Sequence, residues 1–90
     1  MNLRVIKKDI DFLVGDFVED CLLFAMCHPD KNTEDVEKLI NEACDLADYC
    51  YDRVNHPDRN NIKAHFKAIG DDLVNGLDEL CQKLSALAKN

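Results

Sequence analysis

Proline occurs twice in this ninety-residue chain, and both copies stand in nearly the same pentapeptide, His28-Pro29-Asp30-Lys31-Asn32 and His56-Pro57-Asp58-Arg59-Asn60. A proline has no amide hydrogen and its ring collides with the carbonyl one turn earlier, so neither a helix nor a central strand continues through these points. Histidine suits the negative end of a finishing helix, and Asp or Asn accepts the first amides of the next one. Each pentapeptide therefore has the chemistry of a helix-turn-helix junction. The chain is cut into three segments, and each of them carries a helical period.

In the first segment Leu3, Ile6, Ile10, Leu13, Phe17, Cys21 and Phe24 recur at three- and four-residue steps, with Val14, Val18 and Ala25 widening the stripe. Arg4, Lys8, Asp11, Asp16 and Glu19 fall largely on the other side. Such a pattern buries one face of an α-helix. The run over residues 21–27 is apolar all round, so that end needs cover from a second surface, either the rest of the bundle or a partner. The second segment repeats the period with Val36, Leu39, Ile40, Ala43, Leu46, Ala47, Cys50 and Val54. Thr33 or Asn32 can cap its start, and Glu34 and Asp35 place negative charge in its first turn. In the third, Ile62, Phe66, Ile69, Leu73, Leu77, Leu80, Leu84 and Leu87 form a stripe, with Asn60 or Asn61 as cap. Gly70 and Gly76 fall inside this helix, where each costs about 1 kcal/mol relative to Ala, so a close helix approach or a local kink is expected there.

No strand-like alternation occurs, and short loops make neighbouring helices antiparallel. The expected fold is all-α, a single domain over residues 1–90 built as an up-down-up antiparallel three-helix bundle, with helices near 3–27, 33–55 and 61–88. The two junctions do not mark a duplicated module, because the same offset pairs Phe17 with Asp45, Leu39 with Lys67 and Ala43 with Asp71. A domain of this size buries only somewhat over about 60% of its unfolded surface, so self-association would add useful stability and dimerisation is expected.

Charge narrows the partners. The net charge is −7, and the bases and acids number three and five over residues 1–28, three and eight over 29–56, and five and five over 57–90. An acidic chain without a Lys/Arg stripe repels phosphate backbones and anionic bilayers, so neither nucleic acid nor membrane is an expected partner. No apolar run is long enough to cross a bilayer. Carboxylates from Asp9 to Asp20 interrupt the apolar start, so a secretory signal is not expected and a cytoplasmic location is. The acidic face of the second helix, with Glu37, Asp45, Asp48 and Asp52, reads first as a solvated surface and second as a weak site for a basic partner or cations.

Five cysteines read as reduced core thiols more readily than as a disulfide framework. Cys21 and Cys27, like Cys44 and Cys50, are six apart and so about 120° apart around a helix, which does not suit zinc, and no metal site is expected. Counting levels across the second loop puts Cys50 beside Lys67 and near His65, with Asp9 or Asp11 at a similar height. A thiol catalyst there lacks any visible activating charge, so no catalytic residue is assigned. Glycine-rich phosphate loops are absent, and no cofactor is expected.

The His28-Pro29-Asp30 and His56-Pro57-Asp58 tripeptides resemble the loop through which J-domain co-chaperones stimulate the ATPase of their heat-shock chaperone partner. The second copy is the better match, since Lys63, Phe66, Lys67 and Ile69 are similar to the lysine and aromatic pattern that opens the helix after the family's loop. The likeness covers roughly residues 56–69 and implies co-chaperone activity through His56, Pro57 and Asp58. The family's helix before the loop is rich in Lys and Arg, whereas here Glu42, Asp45, Asp48 and Asp52 stand against Arg53 alone. Length and helix layout also resemble small all-helical bacterial proteins of uncharacterised role, a likeness that implies no activity.

The residues thus point first to a non-enzymatic interaction or structural module, associating with itself or with a protein partner. Leu22, Leu23, Met26, Cys27, Gly70 and Gly76 are its candidate interface. A degenerate J-like co-chaperone and a thiol enzyme follow in that order.

Overall fold

The computed structural model describes residues 3–29 and 33–89, and these fold as three α-helices: α1 Leu3–Cys27, α2 Thr33–Asn55 and α3 Ile62–Lys89. The first two match the expected bounds, and the third is displaced by one residue at each end. Among the described residues there is no strand, and the bundle runs up-down-up. Its dimensions are 50 × 19 × 15 Å, a slender rod set by the length of α3. Asn32, one of the two residues expected to cap α2, lies outside the described residues; Glu34 and Asp35 occupy the first turn of that helix as expected.

The junction histidines do what their position suggests. His28 donates its backbone amide to the carbonyl of Phe24 at 3.0 Å, and its Nδ1 reaches the same oxygen at 3.1 Å. His56 repeats the motif on Asp52, amide at 3.1 Å and Nδ1 at 2.9 Å. A carbonyl oxygen only accepts, so each ring carries its proton on Nδ1 and ends its helix by covering a carbonyl left open there. The His28 ring also stacks on Phe24, with centroids 4.5 Å apart. At the second junction the Asp58 carboxylate accepts the Asn60 amide at 3.0 Å, and the Asn61 side chain accepts the Ala64 amide at 3.3 Å. Asn61 is therefore the cap of α3, reaching the amide three residues on.

The core follows the three stripes. Ile10, Val14, Phe17 and Cys21 of α1 meet Val36, Leu39, Ala43, Cys50 and Val54 of α2, and Phe66, Ile69, Leu73 and Leu80 of α3 close the cluster. Two stripe members depart from expectation: Leu13 and Ile62 stay substantially exposed. α1 and α3 touch each other least, and Leu13 stands at the lip of the groove left between them, while Ile62 is the first residue of α3, beyond the reach of the other helices.

Antiparallel pairing is fixed by named contacts: Tyr51 of α2 on Lys7 and Asp11 of α1, and Arg53 and Glu42 of α2 on Asp72 and Lys83 of α3. Across the second loop the contacts fall further along α3 than a level count gives. Helical side chains lean toward their own N-terminus, so those of α2 lean away from the loop and meet later residues of α3.

The glycines divide on the same geometry. A methyl group on Gly76 would lie 2.8 Å from a terminal carbon of Leu46, so the expected close approach of α2 and α3 is found there. Gly76 accordingly faces into the bundle, and its assignment to an outward interface is corrected. At Gly70 nothing of the chain lies within 4 Å of such a methyl, so close packing does not account for it. Gly70→Ala is expected to stabilise the fold by about 0.5 to 1 kcal/mol through helix propensity alone, read as a raised urea midpoint.

Candidate functional site

Cys21 and Cys50 are fully buried, whereas Cys27, Cys44 and Cys81 are exposed, so the expectation of core thiols holds for two of the five. All five are unpaired. Burial, with Asp20 and Cys81 adding to it, pushes the Cys21 thiol up to about 11. Burial also raises Cys50, the neighbouring Asp72 adding to the rise and Arg53 opposing it. Cys81 is raised by partial burial and then by Asp20, Asp78 and Asp16. A thiol must ionise to attack or bind metal, so these three are held in their inert form.

The Cys/His/Asp set counted from the sequence does not assemble. His65 Nε2 donates to the carbonyl of Arg53 at 2.7 Å, and no hydrogen bond joins it to Cys50. Lys67 pairs with Asp71 one turn on, at 3.7 Å, and the charges acting on Cys50 are Arg53 and Asp72. The cause is the lean of the side chains described above. Among the described residues no three His, Cys, Asp or Glu side chains come together as a metal would need. None of the helices is long and apolar enough over those residues to cross a membrane.

The His-Pro-Asp loops are occupied with their own backbone. In the second, the His56 ring bonds the Asp52 carbonyl, with the Asp52 carboxylate 3.4 Å away, and Asp58 holds the turn. Pro57 is half-buried. In the first, His28 caps α1 and Pro29 follows it, while Asp30 lies outside the described residues. Glu37, Asp45, Asp48 and Asp52 are exposed on α2, as expected of a solvated face.

Between α1 and α2 lies a polar contact that periodicity could not reveal. The Tyr51 hydroxyl donates to the Asp11 carboxylate and lies 3.2 Å from the Lys7 carbonyl. The bond to Asp11, then desolvation and the Asp11 charge, push the phenol up to about 12. The unfolded phenol ionises near 10, below the folded one, so this stabilisation is complete below pH 10 and is lost as pH rises toward 12. In urea titrations at pH 8 and pH 11, Tyr51→Phe should therefore lose less stability between the two than the wild type. An equal loss would mean that the bond does not form.

What remains is an apolar surface. Leu22, Leu23 and Met26 are 51%, 58% and 77% exposed, and Cys27 is exposed beside them. Phe24 and Ala25 of the same run pack against the core, so the bundle covers only one side of this end. The exposed surface continues along α1 to Phe12, 72% exposed, and Val5. In the sequence Phe12 already reads as an aromatic off the main stripe of α1 that an interface could use, whereas Val5 was missed, although Val5, Phe12 and Met26 are spaced by multiples of seven residues, which sets them on one side of a helix. Gly70 lies elsewhere, in the groove between α1 and α3 with Leu13, Phe66, Leu73 and Val74. Compared with known proteins, the chain matches no family model, no curated sequence and no solved structure.

Proposed function

We propose that the protein is a non-enzymatic interaction module that works by helix-on-helix association, its contact surface being the outward face of α1 and its first partner a second copy of itself. The observation that carries this reading is the exposed run of Val5, Phe12, Leu22, Leu23 and Met26 on the side of α1 away from the core. A chain this small gains stability from covering such a face, at about 25 cal/mol for each Å² of apolar surface removed from water. The acidic residues of α2 stand on another helix, so association along α1 does not press the most negative surfaces together. Unpaired thiols fit a reducing compartment, and the cytoplasm is the proposed location.

The test is to remove the apolar contact without touching the fold. Solution mass is compared between the wild type and a variant carrying Leu23→Lys and Met26→Lys. The reading expects a wild-type dimer and a monomeric variant, and a variant that associates as the wild type does would overturn it.

A further inference from the structure

The outward face of α1 is not uniform. Lys8 stands toward its N-terminal end and Glu19 toward its C-terminal end, both exposed, and neither makes an ion pair or hydrogen bond among the described residues. Phe12 and Gly15 lie between them. Nothing of the chain comes within 4 Å of where a Gly15 side chain would begin, so this glycine weakens the helix for no packing reason inside the protomer. A shallow depression at Gly15 is bordered by Asp11, Phe12, Asp16 and Glu19.

We propose that a second copy of the chain packs antiparallel on this face, about a two-fold axis midway between residues 13 and 14. Phe12 of each copy then lies over Gly15 of the other, and Lys8 of each faces Glu19 of the other. The inference rests on the association reading above and gives it a geometry. In an antiparallel pair, residues equally distant from the axis meet, so Phe12 opposes Gly15, Lys8 opposes Glu19 and Val5 opposes Leu22, while Asp11 and Asp16 oppose each other at the edges of the contact, where water screens them. At about 100° per residue, Phe12 and Gly15 straddle a direction opposite the Ile10, Phe17 and Cys21 line, so an axis at the height of residues 13 and 14 emerges on the solvent side between them.

Charge favours this arrangement over a parallel one, because the pairs of Lys8 with Glu19 offset the contacts of Asp11 with Asp16 at the edges. A parallel pair sets Lys8 beside Lys8 and Glu19 beside Glu19, which is repulsive. Sliding the antiparallel pair by four residues puts Phe12 against Glu19, desolvating a carboxylate without a partner. The glycine lets the two backbones approach, and the facing ring fills the depression. Covering the five apolar residues in both copies removes on the order of 1,200 Å² from water, the size at which specific interfaces begin.

Charge reversal tests the pairing, with solution mass and titration of labelled protein as readouts. Lys8→Glu alone and Glu19→Lys alone should each weaken self-association by about tenfold or more, since each creates two like-charge contacts. Mixing the two single variants should restore the dimer as a heterodimer, and the double variant should restore it as a homodimer. Both positions are exposed, so the fold is retained, and circular dichroism verifies this. A wild-type dimer whose single variants associate unchanged overturns this geometry and leaves the association reading standing. Single variants that fall apart but fail to recombine overturn the register alone. A wild type that stays monomeric at every concentration overturns both.

Discussion

Phe17→Ala should destabilise the folded chain by about 3 to 5 kcal/mol, the cost of the lost ring plus the cavity it leaves. Phe17 is 3% exposed and sits in the middle of α1, within the apolar cluster shared by all three helices. A domain of this length has a total stability of roughly 0.05 to 0.15 kcal/mol per residue, so the substitution removes a large share of it. The urea midpoint is the readout, and it should fall steeply with little change in slope. Phe12 is the natural contrast. It stands five residues earlier in the same helix at 72% exposure, so its truncation should barely move the midpoint of the isolated protomer. If Phe12→Ala cost as much as Phe17→Ala under monomeric conditions, the assignment of inward and outward faces on α1 would be wrong.

The second large effect concerns association. Replacing Leu23 and Met26 with lysine should convert the dimer to a monomer, weakening it by about 100-fold or more at roughly 1.5 kcal/mol for each buried apolar side chain lost. Lysine is nearly as good a helix former as Leu or Met, and both side chains point away from the core, so helicity should be unchanged. The lysines would also set two charges in a surface that has to dry out on contact. A variant that lost both its mass and its helical signal would show instead that this end of α1 supports the protomer itself.

Much of the architecture is legible in the sequence. The prolines fixed where helices had to stop, and His28 and His56 announced the carbonyls that they cap, because that chemistry is local. Gly76 was readable as a close approach for a similar reason: a glycine inside a strong helical stripe needs a cause, and Leu46 supplies it. Gly70 carried the same signal and has no such cause, since the gap beside it depends on how far α1 and α3 stand apart. That distance is a tertiary quantity. The same limit applies to Cys50, whose expected neighbours Lys67 and His65 gave way to Asp72 and Arg53 once side-chain lean shifted the ladder. The apolar end at Leu22, Leu23 and Met26 was legible because residues apolar on every side cannot all face one core. Phe12 was legible as an aromatic off the main stripe, but its link to Val5 and to that end was hidden by Glu19, which breaks the second stripe on the outward side of α1. In the proposed geometry that interruption carries information, because Glu19 is the group that Lys8 of another copy would meet.

Light scattering of the purified wild type across a concentration series, under reducing conditions, tests the central claim most directly. The account predicts a mass near twice 10.3 kDa that falls toward the monomer value on dilution. A mass of 10.3 kDa at every concentration would contradict it, leaving the exposed face of α1 without the partner assigned to it.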